Sequence, residues 1–353
     1  MKYKTWKYLN IDEQYMNRCI QLARLAEGNV APNPMVGAVL VYENKIIGEG
    51  FHKKYGEAHA EVNCIDNVAH GDKNLIEKST LYVSLEPCSH FGKTPPCTDL
   101  IIQNNIPRVI IACTDIFKEV AGKGIKKLND AGIETIVGVL EKECLELNKR
   151  FFTFHQKQKP YIILKWAQSA NGKIGKKGQR VLISNNYTNR LVHKWRSQEA
   201  AILIGTNTAQ EDNPSLTTRL WQGKNPVRII IDKKLRLPSS LLLFDGETPT
   251  IIYNLFKDST GKNLNYVKLG SEKFIDELLQ SLFEMNIQSV LVEGGSKTLQ
   301  SFIDAGLWDE ARVITNEELT IENGIAAPEM KNFILEKQEK YLRDTITYYR
   351  NSD

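Results

Sequence analysis

At 353 residues the chain has room for two domains, each large enough for its own core. Its 42% hydrophobic and 25% charged content is that of an ordinary globular protein, not of a disordered or fibrous one. A net charge of +4 without a basic tail argues against a dedicated nucleic-acid binder but admits small anionic substrates. No run nears the roughly 20 apolar residues of a membrane span, and the polar start Met1–Trp6 lacks a signal-peptide core. Six cysteines over this length read as reduced thiols in a cytoplasmic protein, with Cys19, Cys64, Cys113 and Cys144 in apolar or mixed surroundings.

In chain order, an amphipathic helix is expected from Asp12 to Ala26, with Asp12 as its cap. Val36–Tyr42 and Lys45–Gly50 read as a hairpin turning at Glu43-Asn44. A helix follows over Ala58–Val68 and a short buried strand over Thr80–Ser84. Helices over Thr98–Asn104, Gly122–Ala131 and Glu141–Lys149 alternate with strands over Arg108–Ala112 and Glu134–Gly138. This alternation predicts a three-layer α/β domain. Gln156–Pro160 has linker composition.

A second α/β pattern then begins. Strands are predicted over Tyr161–Lys165, Ala200–Ile204, Val227–Ile231, Thr250–Tyr253, Tyr266–Leu269 and Ser289–Glu293. Helices are predicted over Tyr187–Gln198, Phe274–Glu284 and Ser296–Ala305. The tail after Glu329 is charged, with a weak helical pattern and no assigned place.

The first half is organised around Gly50-Phe51-His52 through His59-Ala60-Glu61, answered by Glu86-Pro87-Cys88 and Cys97. One histidine and two cysteines suit zinc with its fourth position open to water. Glu61, two residues after His59 on the first helical turn, can miss the metal and still reach that water. Bound zinc lowers the pKa of a water to roughly 7, and a carboxylate beside it can pass the proton on. A structural zinc would need a fourth protein ligand, for which His52 and His90 are the candidates.

His-x-Glu followed by Pro-Cys-x-x-Cys is the signature of zinc nucleobase deaminases. Here the second cysteine comes nine residues after the first, across Ser89–Pro96. That loop, with Ala31-Pro32-Asn33-Pro34-Met35-Val36-Gly37 and Gly50–Gly56, resembles the bifunctional deaminase–reductase family of riboflavin biosynthesis. The resemblance implies a cytidine-deaminase-like α/β/α domain over 1–152 and a dihydrofolate-reductase-like α/β domain over 153–353. It implies His59, Cys88 and Cys97 as zinc ligands and Glu61 as the catalytic proton carrier. Asn33, His52 and Lys93 become contacts to a phosphorylated pyrimidine substrate. A homo-oligomer acting without nucleic acid or membrane is expected.

In the second half, Gly294-Gly295-Ser296 turns a buried strand into a helix, where free amides can hold phosphate. With Gly205-Thr206 and Asp212–Arg219 it resembles the family's NADPH-dependent reductase. The resemblance places Thr208, Asp212 and the run Gly295, Ser296, Lys297, Thr298, Leu299, Gln300 and Ser301 at the cofactor. It places Arg196, Leu216, Arg219 and Glu293 at the substrate, arginine's fork being suited to phosphate. Against this stand plainer roles: Asp212 capping a turn, Glu293 paired to Lys297, and the glycines serving only close packing.

The family's usual Ser-Leu-Asp-Gly reads Ser169-Ala170-Asn171-Gly172 here, a frequent Trp is Leu182, and a frequent Ser is Lys233. An Asp-Pro-Asn-Pro of the deaminase half reads Asp115-Ile116-Phe117-Lys118. These departures keep open a deaminase whose second half only binds or dimerises. A nucleic-acid-editing deaminase would share the zinc motif but should carry a basic, aromatic-studded face, and none is evident.

Overall fold

A computed structural model describes residues 10–91, 95–116 and 121–352. The chain divides into two compact units, one ending at Lys157 and the other starting at Gln158.

The first unit opens with helix α1 (Ile11–Arg24). Asn10, not Asp12, is its cap: Asn10 Oδ1 accepts from the Glu13 amide while Glu13 reaches back to the Asn10 amide. Strands β1 (Gly37–Tyr42) and β2 (Lys45–Phe51) form the expected hairpin. Glu43 and Asn44 both have positive φ, 44° and 63°, as a two-residue hairpin turn that follows strand twist requires. Helix α2 (Ala60–Asp66), strand β3 (Thr80–Val83) and helix α3 (Cys97–Gln103) follow. Next come β4 (Arg108–Ile111), α4 (Lys123–Asp130) and β5 (Glu134–Val137). Two helices, α5 (Glu141–Leu147) and α6 (Lys149–Lys157), close the unit. Helix α6 runs through residue 152 because Phe151, Phe152 and Phe154 give it a buried face, so the linker composition begins inside a helix.

The sheet order is β2-β1-β3-β4-β5, with β3, β4 and β5 parallel. Alternate residues of β1 face opposite layers: Val39 joins Met16, Cys19 and Ala23 of α1, whereas Ala38 and Leu40 join Ala60 and Cys64 of α2. A Cβ at Gly50 would run into Ala60 O and the Cys64 backbone. Glycine in β2 therefore lets α2, with its metal-ligand motif, lie directly on the sheet.

The second unit begins with β6 (Tyr161–Ser169), β7 (Lys173–Gly175), α7 (Asn186–Gln198), β8 (Ala201–Gly205) and α8 (Thr206–Asp212). It continues through β9 (Val227–Ile231), β10 (Thr250–Asn254), β11 (Ser259–Thr260), β12 (Leu264–Lys268) and α9 (Phe274–Glu284). Then come β13 (Ser289–Val292), α10 (Ser296–Asp304), β14 (Glu310–Asn316), β15 (Ile325–Ala326), β16 (Phe333–Tyr341) and β17 (Asp344–Asn351). Ten strands form one sheet in the order β11-β12-β10-β9-β8-β13-β6-β14-β17-β16. Its central strands are parallel and apolar on both faces: Ala201 and Leu203 pack with α9 and α10, Ile202 and Ile204 with Ala209 and Leu216.

The tail, to which the sequence assigned no place, now has one. Residues after Glu329 form the antiparallel hairpin β16–β17, not a helix. Strand β16 lies at the sheet edge with both faces largely exposed, so its sequence carries no two-residue hydrophobic alternation. Both units are α/β as expected from the sequence.

Candidate active sites

In the first unit, three chain segments deliver the metal-ligand set. His59 precedes the first residue of α2, Cys88 follows β3, and Cys97 starts α3. His59 Nδ1 lies 3.6 Å from Cys88 Sγ and 3.3 Å from Cys97 Sγ, and the three donor atoms lie within 4.8 Å of one another. The Cys97 amide also donates to Cys88 Sγ at 3.3 Å. Hydrogen bonding from Cys97 and His59 pulls the Cys88 thiol below its ordinary value while the same bond and burial push Cys97 up, so the pair shares a single thiolate that His59 faces. This donor set fits zinc.

Among the described residues no fourth ligand joins the cluster. His52 is committed elsewhere: its Nδ1–H donates to Ala58 O at 3.0 Å, leaving Nε2 to accept from Asn33 Nδ2 at 3.1 Å. Burial lowers the His52 pKa, consistent with that neutral ring. Two residues on, the backbone of the same segment is held by Asn148, whose side chain accepts from the Met35 amide and donates to the Met35 carbonyl at 2.8 and 2.9 Å. Glu61 is 3% exposed beside the ligands, and burial, reinforced by Cys88, pushes its carboxyl up to about 7. Lys93, Phe117 and Lys118 lie outside the described residues.

In the second unit the charges converge on Glu293, at the end of β13. Arg196 of α7 grips it with both forks, Nε and Nη2 each 2.8 Å from a carboxylate oxygen. Lys165 of β6 approaches to 3.5 Å. Burial alone would raise the Glu293 pKa, but Arg196 and Lys165 outweigh it and hold the group at about 2. Burial and Arg196 lower the Lys165 pKa, against the pull of Glu293. The partner of Glu293 is thus Arg196 with Lys165, not Lys297, which is exposed. Lys165 was not legible as a site residue, since a lysine ending an apolar strand usually reaches solvent. Each Arg196 guanidinium nitrogen makes a bond, the third from Nη1 to Thr217 O at 3.2 Å, which leaves two of its five N–H groups without one of these partners.

Arg219 is exposed and donates to Ser215 Oγ at 3.1 Å, leaving most of its fork available for an anion. Leu216 has φ +53° and a side chain 2% exposed in the core, so only its backbone can face a ligand. At the start of α10, a Cβ on Gly294 would crowd Thr298, and one on Gly295 would come 3.0 Å from Thr208 Oγ1. A Cβ on Gly205 would likewise meet Thr298. The glycines thus serve close packing, letting Thr298 and Thr208 lie against the strand ends so that α8 and α10 both start at the carboxyl ends of parallel strands, a placement that suits a dinucleotide phosphate.

The run from Gly295 to Ser301 divides. Leu299 is buried in the core, Gln300 is bonded to Glu329 and Asp304, and Ser301 is bonded to Thr298 O. Only the first turn offers open amides. Asp212, at the end of α8, is exposed as a residue, but its carboxyl group is partly shielded from water, which together with the nearby charge of Glu211 raises its pKa. Asn171 explains one departure: its amide accepts from the Ile321 N–H and donates to the Ile321 carbonyl, both at 3.1 Å, which a carboxylate could not do. Leu182 is 76% exposed, and Lys233 Nζ sits 4.3 Å from the Phe274 ring centroid.

The fold and the two sites define a zinc-dependent deaminase joined to a reductase. Residues 9–113 match the cytidine and deoxycytidylate deaminase zinc-binding region, and residues 160–316 match the RibD C-terminal domain. Riboflavin biosynthesis protein RibD of Aquifex aeolicus is 39% identical over 96% of this chain and 98% of its own length. That of Bacillus amyloliquefaciens is 43% identical over 85% and 83%. A crystal structure from Thermotoga maritima, of a diaminohydroxyphosphoribosylaminopyrimidine deaminase/5-amino-6-(5-phosphoribosylamino)uracil reductase, superposes with a TM-score of 0.89 at 35% identity, covering 97% of this chain and 99% of that one. The chain belongs to the RibD family of riboflavin biosynthesis proteins, and its cofactors are zinc and NADPH. A second half that only binds or dimerises, and a nucleic-acid-editing deaminase, are both set aside by these matches along the chain.

Proposed function

We propose that the first unit removes the 2-amino group of 2,5-diamino-6-(5-phosphoribosylamino)pyrimidin-4(3H)-one by hydrolysis. The second unit then reduces the ribosyl group of 5-amino-6-(5-phosphoribosylamino)uracil to ribityl with NADPH. The observation that carries this reading is the convergence of His59, Cys88 and Cys97 beside a buried Glu61, in a chain whose other half builds the Glu293 triad and sets two helix starts side by side at glycines.

His59, Cys88 and Cys97 would hold zinc, which supplies the Lewis acidity that activates water near neutral pH. Glu61 accepts a proton from the attacking water and returns protons to the ring nitrogen and the leaving amine. Asn33, oriented by His52, keeps its side-chain oxygen to accept from the pyrimidine. In the reductase, NADPH supplies the hydride, and the first turn of α10 with Thr208 and Asp212 would bind it. Arg219 and the Leu216 backbone take the substrate phosphate. Arg196 fixes Glu293 at the reacting end, and Lys165 is the cation placed to protonate the sugar oxygen as the ring opens.

No helix among the described residues is long and apolar enough to cross a membrane. Six unpaired cysteines support a cytoplasmic setting. The open edge of β16, with Phe333, Ile334 and Leu335 each about half exposed, supports a homo-oligomer. The test is one assay with purified protein, the diaminopyrimidine phosphate and NADPH, reading ammonia release and NADPH loss separately. NADPH loss without prior ammonia release would reverse the proposed order.

A further inference from the structure

Glu86 sits two residues before Cys88, is 4% exposed, and touches no metal ligand's donor atom in the hydrogen bonds it makes. A buried carboxylate is unfavourable unless its oxygens are satisfied. Here four backbone amides do so. Oε2 accepts from Asp115 at 3.1 Å and Gly122 at 3.0 Å; Oε1 accepts from Gly124 at 2.9 Å and Ile125 at 3.3 Å.

Gly124 and Ile125 are the second and third residues of α4, the positions a helix cap normally satisfies, and α4 has no side-chain cap of its own. Glu86 supplies that cap from another segment, with its negative charge at the favourable end of the helix. The fit is close, because a Cβ at Gly124 would run into Pro87 O. The Glu86 amide in turn donates to Cys113 O at 3.0 Å. Strands β3 and β4 are parallel neighbours, so the segment carrying Cys88 and the segment carrying Asp115 leave the sheet at one edge. That edge is where α/β sheets bind ligands.

We infer that Glu86 is a positioning residue for deamination: its carboxylate fixes the Asp115 segment and the start of α4 against the zinc-ligand turn, and so sets the wall that receives the pyrimidine. This rests on the deaminase reading above. Glu86→Gln replaces one accepting oxygen with an NH2 group facing two amide donors. Loss of such charge-assisted bonds should raise the deaminase KM about tenfold or more, with kcat changed less. Zinc content and NADPH oxidation with pre-deaminated substrate should hold. Hydrogen exchange at the Gly124 and Ile125 amides should speed up. Gly124→Ala, which keeps the carboxylate but pushes the helix start off Pro87, should raise KM in the same direction.

If Glu86→Gln does not fold, Gly124→Ala alone decides. Faster exchange with an unchanged KM would make Glu86 a plain helix cap and overturn the inference. Zinc loss in proportion to activity would also overturn it. A wild-type protein that releases no ammonia would sink the deaminase reading instead, before any variant is compared.

Discussion

The two sites are built in opposite ways. The zinc site gathers chemically uncommon side chains from one stretch, His59 to Cys97, on segments that follow β2 and β3, the strands on either side of β1. The proposed reductase site gathers common charges from β6, α7 and the end of β13, with Arg196 and Glu293 separated by 97 positions. One is a ligand set whose chemistry is written in residue type. The other is an electrostatic arrangement whose chemistry exists only once the sheet is closed. Losing a ligand should therefore silence one reaction cleanly, whereas losing a triad member should disturb fold and reaction together.

The largest effect expected is on the metal. Chelation, or Cys88→Ser, should abolish ammonia release and leave NADPH oxidation with pre-deaminated substrate intact. A Cys88→Ser protein that keeps full zinc by metal analysis would refute the ligand set. Glu61→Gln comes next: general acid–base groups contribute roughly 10²–10⁴ in rate, and one residue serving several transfers should reach the upper end. Zinc should stay near one per chain. Deamination within tenfold of wild type would move the proton role to another group, His52 first.

Glu293→Gln sharpens the contrast, because it leaves Arg196 and Lys165 buried without their anion. Breaking such a pair costs about 3–5 kcal/mol. Denaturant unfolding of the second unit should register this alongside lost reduction, while ammonia release continues. Arg219→Ala should be milder, since Arg219 is exposed and its proposed role is binding alone. The reductase KM should rise about tenfold with NADPH affinity unchanged; a fall in kcat instead would place Arg219 at the chemistry.

The smallest effect is on acid stability. Glu293 has its pKa lowered on folding, so its contribution is complete above the unfolded value of roughly 4.3 and fades as pH falls toward 2. The stability gap between wild type and Glu293→Gln should therefore narrow across that window. A gap that stays constant from pH 6 to pH 3 would contradict the ion pairing.

These differences track what was legible in the sequence. His59, Glu61, Cys88 and Cys97 were readable because few plain roles explain that combination at that spacing. Most parallel strands were readable because both faces are apolar. Strand β14 was not, since Glu310 and Arg312 interrupt its apolar residues. They pair with each other at 2.6 Å, which makes their burial tolerable. Asn148 and Lys165 were missed for a similar reason: each acquires meaning only from a partner far along the chain. The charged tail could not be placed because an edge strand can be polar on both faces.

The placement of β6 also bears on how the protein is made. It is the first strand of the second unit, yet it lies between β13 and β14, near the middle of the sheet. During synthesis, Tyr161 emerges long before Ser289 and Glu310, its neighbours' first residues. At about 5–20 residues per second, the apolar Ile162-Ile163-Leu164 waits roughly 6–30 s for its pairing strands. The first unit can close on the ribosome during that interval. A long-range parallel pairing of this kind folds slowly and exposes strand edges meanwhile. Nascent second units should therefore be the part of this protein that engages chaperones, and truncation just before β13 should yield chains that aggregate.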